Sequence, residues 1–200
     1  MSYAIIGFGP VGQALARAFA RKEIEITVAS RRPPEALAPQ ARAIGPTVIP
    51  KSLDDALKAN IVILAVPFWQ HREVAKAVAG WQGKIVIDTT NAFGVALEEL
   101  DGLSSSVVIS RSLPGARLVK AFNHLSAGIL GRDPNVKGGG RRVVFLSSDD
   151  ESATASVGAL VEQLGFAPIG LGKLAEGGAL VQARGRTWTQ LVFQDLVKFT

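Results

Sequence analysis

A glycine-rich turn between a short apolar run and an alanine-rich segment constrains the fold of this chain most strongly. Residues 3–7 read as a buried strand, and residues 11–22 place apolar side chains at the 3.6-residue spacing of a helix. Between these elements Gly7, Gly9 and Gly12 have the spacing G-x-G-x-x-G. Gly7 permits a tight turn, Gly9 lets a pyrophosphate approach the backbone, and Gly12 lets the helix pack closely on the strand. The turn predicts a βαβ unit whose helix N-terminus receives phosphates, the alternative being the same turn without a ligand.

Short β-branched runs alternate with helical patterns along the rest of the chain. Further strands are predicted at residues 24–30, 47–50, 60–67, 83–91, 116–123, 141–150 and 166–172. This alternation predicts an α/β fold, a Rossmann-type doubly wound, mostly parallel sheet with helices on both faces. We expect residues 1–200 to form a single domain built on this sheet, with a short helical C-terminal extension over about residues 173–200.

The C-terminal extension is predicted to be a helix from about Gly177, with one apolar stripe. The stripe consists of Trp188, Leu191, Val192, Leu196 and Phe199. It could pack on the core of its own chain or on a second copy. The extension is therefore expected either to cover part of its own core or to form a homodimer contact.

Composition narrows the function classes. The chain has no cysteine and two histidines, which argues against thiolate and histidine metal sites, and no metal is expected. Its longest apolar run, residues 61–69, is shorter than the roughly 20 residues of a membrane span. The N-terminus lacks a signal-peptide pattern, so a cytoplasmic location is expected. The net charge of +5 comes from scattered arginines and lysines, so nucleic-acid binding is not expected.

Ser30, Arg31 and Arg32 stand at the end of the second predicted strand, where many dinucleotide-binding chains carry an acid. An acid there hydrogen-bonds the adenosine ribose and repels a 2′-phosphate. A hydroxyl and two guanidinium groups instead suit a dianionic 2′-phosphate, because arginine offers planar, paired donors. These residues predict NADP(H) as the cofactor, against the alternative of two solvated surface arginines.

The nicotinamide end of the cofactor is expected across the carboxyl ends of the fourth to sixth strands. There the cofactor-binding candidates are Ala65, Val66, Pro67 and Asn91. Asn123 and His124 follow the sixth strand and are the candidate catalytic residues. A carbonyl reductase needs a proton donor beside the hydride, and the single tyrosine, Tyr3, starts the first strand at the wrong end of the fold. Hydride transfer between two ring cofactors needs less from the protein, which mainly stacks and positions the rings.

Several segments in this order resemble one family. The segments are "AIIGFGPVGQALARAFA", "VASRR", "IVILAVPFW", "KIVIDTTN" and "GARLVKAFN". They are similar to the coenzyme F420-dependent NADP oxidoreductases, the NADPH:deazaflavin reductases, whose domain is shared with the STEAP metalloreductases. The resemblance covers nearly the whole chain.

The resemblance implies a Rossmann-type domain that binds NADP along the glycine turn. Backbone contacts are expected from Phe8, Gly9, Pro10 and Val11, 2′-phosphate contacts from Ser30 and Arg31, and a nicotinamide contact from Ala127. The archaeal reductases have a histidine where this chain has Asn123, and Pro-Trp where it has Pro67-Phe68-Trp69. Both departures fall on the acceptor side. The resemblance also implies that the C-terminal extension, about residues 173–200, completes the acceptor pocket.

Three functions remain open at this point. The first is an NADPH-dependent oxidoreductase passing hydride to deazaflavin coenzyme F420 or a flavin. The second is an NADPH-dependent reductase of another small substrate. The third is a non-enzymatic NADP(H)-binding redox sensor or subunit. The sequence leaves open the acceptor, the direction of the reaction, the oligomeric state and whether NADP(H) is turned over or only bound.

Overall fold

A computed structural model of the chain describes residues 1–183 and 191–195. Within this part of the chain, eight strands and eight α-helices follow one another, with short 3-10 turns at Phe68–Gln70 and Leu97–Leu100. The strands are β1 Tyr3–Ile6, β2 Ile26–Ala29, β3 Val48–Pro50, β4 Ile61–Leu64, β5 Ile85–Asp88, β6 Arg117–Lys120, β7 Val143–Ser148 and β8 Ala167–Gly170. The helices are α1 Pro10–Ala20, α2 Pro34–Ile44, α3 Leu53–Ala56, α4 His71–Lys76, α5 Ser105–Ser112, α6 Ala127–Leu130, α7 Glu151–Gln163 and α8 Gly177–Val181.

The strands form one sheet in the order β3-β2-β1-β4-β5-β6-β7-β8. All neighbours are parallel except β6 and β7, which pair antiparallel. The predicted doubly wound, mostly parallel sheet is therefore confirmed. Its strand order reverses between β1 and β4, where Ile5 pairs with Ile63. In open α/β sheets a ligand crevice lies outside the carboxyl ends of the strands at this switch point.

Two apolar cores cover the two faces of the sheet. Ile5 and Ile63 pack with α1 residues such as Phe19 on one face, whereas Val62 packs with Trp81 on the other. Successive strand residues point to opposite faces, so a strand covered on both sides must be apolar throughout. This explains why β4 reads Ile-Val-Ile-Leu without a polar residue. Every helix among the described residues is too short or too polar to span a bilayer.

The C-terminal extension departs from the predicted continuous helix. It contains the five-residue helix α8, which ends at Val181. Residues 191–195 are not helical, and Gln194 forms an antiparallel bridge with Arg142. The helix prediction is thus wrong for residues 191–195, because pairing beside β7 replaces local helical bonding. Leu191 and Val192 are exposed, and Trp188, Leu196 and Phe199 lie outside the described residues.

Candidate functional site

The glycine turn between β1 and α1 can be built only from glycines at two of its positions. Gly7 has a φ of +104°, and a Cβ there would lie 2.3 Å from the Ala65 carbonyl oxygen. A Cβ on Gly12 would lie 2.0 Å from the Gly7 carbonyl oxygen. Around Gly9, in contrast, a Cβ would meet nothing within 4 Å. Gly7 and Gly12 therefore close the turn, and Gly9 leaves its backbone open to the crevice.

The first turn of α1 has free hydrogen-bonding capacity that points toward the crevice. Gly9 is the N-cap residue and supplies no side-chain cap, and Pro10 occupies the first helical position. Val11 and Gly12 follow, and the first N–H groups of a helix have no partner within it. Because α1 is 11 residues long, its dipole adds positive potential at this end. This end of α1 can receive an anion such as a phosphate.

The Ser30–Arg32 segment leaves β2 beside the glycine turn, since Gly7 N donates to the Ala29 carbonyl oxygen at 2.8 Å. Ser30 Oγ accepts from Arg32 N at 3.0 Å, which folds the segment into a tight turn. Arg32 donates from Nη2 to Gln40 Oε1 at 3.3 Å. Among the described residues, exposed Arg31 forms no hydrogen bond or salt bridge, so its guanidinium group is available to a ligand.

One cavity of about 610 Å³ brings these segments together. Of the predicted cofactor-binding residues it is lined by Gly7, Phe8, Gly9, Pro10, Val11, Ser30, Arg31, Arg32, Ala65, Val66 and Pro67. Its volume lies within the roughly 300–1,000 Å³ typical of ligand and cofactor sites. The sequence reasoning missed five further lining residues, Ile6, Leu53, Gln70, Glu73 and Val74. The sequence feature that could have identified part of this lining is the pair Gln70 and Glu73, which are three residues apart on a helical segment.

The other predicted site residues lie outside the lining of this cavity. Gly12 is buried within the first turn of α1, and half-buried Ala127 begins the short helix α6, which packs on α1. Asn91, Asn123 and His124 follow β5 and β6 at the carboxyl edge of the sheet. The structure thus brings the phosphate and ribose candidates together and leaves the nicotinamide-side candidates as a separate group.

Asn91 and Asn123 pair with each other. Asn91 donates from Nδ2 to the Asn123 carbonyl oxygen at 2.8 Å, and Asn123 donates from Nδ2 to Asn91 Oδ1 at 3.1 Å. The C-terminal extension closes over the pair, because Asn123 Nδ2 also donates to Val181 O at 2.7 Å and Ala183 N donates to Asn91 Oδ1 at 3.0 Å. Asn123 Oδ1 is buried without a partner among the described residues. The extension is therefore tied to the strand ends where the acceptor side was predicted.

A buried charge network, which the sequence reasoning did not identify, lies at the ends of β5 and β6. Lys120, only 1% exposed, donates from Nζ to Asp88 Oδ2 at 3.1 Å, the Thr90 carbonyl oxygen at 3.2 Å and Ser105 Oγ at 3.5 Å. Asp88 accepts from Thr90 N at 2.8 Å and from Ser106 Oγ at 2.5 Å. Thr90 is thus held at both its N–H and its C=O, which fixes the turn that leads into Asn91. The sequence feature that could have identified this network is that the neighbouring strands β5 and β6 are largely apolar and each end in a charged residue, Asp88 and Lys120.

Both histidine side chains are buried and form hydrogen bonds with backbone carbonyl oxygens. His124 lies against Phe145, its Nε2 donates to the Val143 carbonyl oxygen at 3.2 Å, and burial lowers its pKa to about 4. His71 bonds from Nδ1 to the Phe68 carbonyl oxygen at 2.5 Å, and burial lowers its pKa as well. Neither lines the cavity. The catalytic role of His124 stays a prediction, and its packing in the core makes it an inaccessible neutral side chain.

The cavity fits a dinucleotide with a 2′-phosphate. The uncapped start of α1 and the open backbone at Gly9 suit a pyrophosphate, and the unengaged Arg31 beside Ser30 and Arg32 suits a further phosphate group. Two anion-binding regions within one cavity match the charge distribution of NADP(H).

The known proteins that resemble this chain include NADP oxidoreductases. Residues 2–92 match the family model "NADP oxidoreductase coenzyme F420-dependent". The chain is 40% identical to a hypothetical protein from Sinorhizobium meliloti of known structure, with a TM-score of 0.91 over 98% of this chain and 96% of that one. It is 27% identical to a proposed F420-dependent NADP-reductase from Arthrobacter sp. FB24, with a TM-score of 0.74 over 87% and 86% of the two chains.

A curated relative extends the comparison to a longer protein. The chain is 28% identical over 174 residues to the metalloreductase STEAP3 of Rattus norvegicus. The alignment covers 86% of this chain and 34% of STEAP3, so the chain spans about a third of that relative.

Proposed function

Since the chain belongs to the coenzyme F420-dependent NADP oxidoreductase family, we propose that it transfers hydride between NADP(H) and a deazaflavin or flavin-type acceptor. The single observation that carries this proposal is the cavity that joins the glycine turn to Ser30, Arg31 and Arg32. NADPH bound there would supply the hydride from its nicotinamide ring. The protein's part is to bind the two phosphate-bearing regions and to orient the ring end toward the acceptor.

The cofactor would be held by three groups of residues. The start of α1, at Gly9 to Val11, would bind the pyrophosphate through backbone N–H groups. Ser30 and the two arginines would bind the 2′-phosphate through charge-assisted hydrogen bonds. Asn91, Asn123 and Ala127 follow or begin the elements on the nicotinamide side and are proposed to orient that end.

The side chains at the candidate site favour an acceptor that needs no proton from the protein. Among the residues that the structure describes, no tyrosine, lysine or histidine lines the cavity. At the strand ends, Lys120 is bonded to three acceptors in the interior and His124 is packed in the core. Reduction of a carbonyl compound needs a positioned proton donor, whereas hydride transfer between conjugated rings depends chiefly on distance and orientation. This chemistry supports a deazaflavin or flavin over a carbonyl substrate.

The test is NADPH oxidation by the purified protein with coenzyme F420, FMN, FAD and riboflavin supplied in turn, and with NADH run beside NADPH. Turnover with one acceptor, specific to NADPH, is the expected result and identifies the acceptor. Tight NADPH binding with no turnover on any of the four would refute the proposed acceptor class. That result would favour a redox sensor or a reductase of another small substrate.

A homodimer and a cytoplasmic location remain part of this proposal. Exposed Leu191 and Val192 support an apolar contact between copies. Size-exclusion chromatography with light scattering should give twice the 21.0 kDa chain mass. A species of 21.0 kDa at all concentrations would overturn the dimer.

A further inference from the structure

Part of the cavity lining has no role in binding the phosphates. Leu53 at the start of α3, and Gln70, Glu73 and Val74 on or beside α4, lie in the same cavity as the glycine turn and Ser30–Arg32. Val74 is 6% exposed and Leu53 is half-buried, so these two provide an apolar wall. Gln70 and Glu73 are three residues apart along a helical segment, so their side chains share one face. The lining thus has an apolar wall with a polar edge.

Glu73 is unexpected in a cavity that otherwise suits anions. Its carboxylate would repel the pyrophosphate and the 2′-phosphate if it faced either. Within the described part of the chain its ion pair is with Lys76 at 3.4 Å, between two side chains that are each about three-quarters exposed, and such pairs hold a carboxylate weakly. Among the described residues, the side chain of Gln70 forms no hydrogen bond. Both side chains are therefore free to meet a neutral ligand group that donates hydrogen bonds.

The adenine base is the part of NADP(H) with these properties. This step rests on the proposed binding of NADP(H) in the cavity. The base is joined to the ribose that carries the 2′-phosphate, so it must lie next to Ser30–Arg32 and away from Gly9. It is uncharged, its two faces are apolar and its edge carries an exocyclic amino group. An apolar wall suits the faces, and a carboxylate beside an amide suits the amino edge.

We propose that Gln70 and Glu73 form a base-recognition subsite that reads the amino edge of adenine, with Val74 and Leu53 against its face. The carboxylate of Glu73 accepts from the exocyclic amino group, and the amide of Gln70 meets the adjoining ring nitrogen. A base with a carbonyl group at that position places an acceptor against the carboxylate. The subsite therefore selects adenine over hypoxanthine.

The experiment measures binding by isothermal titration calorimetry, without any hydride acceptor. The two ligands are NADPH and the reduced nicotinamide hypoxanthine dinucleotide phosphate, in which a carbonyl replaces the amino group. Wild-type protein should bind NADPH roughly ten-fold more tightly, the effect of one charge-assisted hydrogen bond. Glu73→Gln should reduce this ratio to about one, because glutamine can donate to the carbonyl as well as accept from the amino group.

The ratio of the two affinities separates recognition from general electrostatics. Removing a negative charge near the cavity strengthens binding of both anionic ligands equally, and this common effect cancels in the ratio. Glu162→Gln, on an exposed helical position of α7 outside the cavity, is the matched control and should keep the wild-type ratio. Gln70→Leu should also lower the ratio. Thermal unfolding of each variant checks that the fold is retained.

Two outcomes overturn the inference in different ways. Equal binding of the two ligands by wild-type protein, or an unchanged ratio in Glu73→Gln, shows that the subsite does not read the base, while the NADP(H) proposal stands. Failure of wild-type protein to bind either ligand overturns the NADP(H) proposal itself, and the subsite with it.

Discussion

Replacement of Arg31 by alanine tests the assignment of the 2′-phosphate. Arg31 is exposed and makes no hydrogen bond or salt bridge among the described residues, so its loss should leave the free energy of unfolding within about 0.5 kcal/mol of wild type. Binding of NADPH should lose a charge-assisted hydrogen bond, worth about 1.5–3 kcal/mol. Because the side chain is solvated, we expect the lower end of this range, which corresponds to a roughly ten-fold increase in Kd.

The assay compares NADPH with NADH, which differ by the 2′-phosphate alone. Titration calorimetry should show the weakening for NADPH and an unchanged Kd for NADH. Raising the salt concentration should narrow the difference between wild type and variant, since exposed charges are screened. Arg42→Ala is the matched control, an exposed arginine in the last turn of α2 and outside the cavity lining.

Two results would refute this reasoning. An equal loss for NADPH and NADH would mean that Arg31 acts on a part of the cofactor that both share. An equal loss in Arg42→Ala would mean that net charge, and not a located phosphate contact, determines the affinity.

Three further predictions concern the stability of the fold. Gly12→Ala should lower the free energy of unfolding by about 1–3 kcal/mol in urea denaturation, because its Cβ would lie 2.0 Å from a backbone oxygen; an unchanged midpoint would contradict the tight turn. Lys120→Met should lower the free energy of unfolding by about 3–5 kcal/mol, because it leaves Asp88 buried without its ion-pair partner. The double variant Lys120→Met/Asp88→Leu should recover most of this loss, whereas Lys58→Met, in an exposed pair, should leave the free energy of unfolding unchanged. The pKa of His124 is 6.5 in the unfolded state and about 4 in the folded state, so the unfolded state binds more protons between these pH values. The free energy of unfolding should therefore be highest above pH 6.5 and decrease by about 3 kcal/mol toward pH 4. His124→Phe should remove this decrease when urea denaturation is measured across the same pH range.

The fold was largely predictable because its signals are local. Each strand core falls within a predicted segment, since parallel strands covered on both faces must be apolar runs. Ser52 is of a residue type that favours the N-cap position, and its Oγ accepts from Asp55 N at 3.2 Å at the start of α3. The glycine turn and Ser30–Arg32 were predictable for the same reason, because each is a contiguous segment whose geometry depends on its own residues.

The tail and the histidine environment were less predictable because they depend on distant partners. Leu191 and Val192 fit a helical stripe, yet their segment bridges to Arg142 through Gln194. His124 was predicted from its place after β6 as a catalytic candidate. Its burial against Phe145 follows from the antiparallel pairing of β7 beside β6, which local periodicity does not specify.

The buried network at the ends of β5 and β6 shows where the candidate site departs from rules that favour stability alone. Register places Asp88 opposite Lys120 in the sheet, and a buried ion pair of this kind is often no more stabilising than apolar residues of similar size. Its specific effect is to hold Thr90 at both polar backbone groups, and Thr90 directly precedes Asn91. Local departures of this kind are expected at functional sites. Because the network fixes Thr90, we infer that the Asn91–Asn123 pair is the most tightly positioned part of the acceptor side.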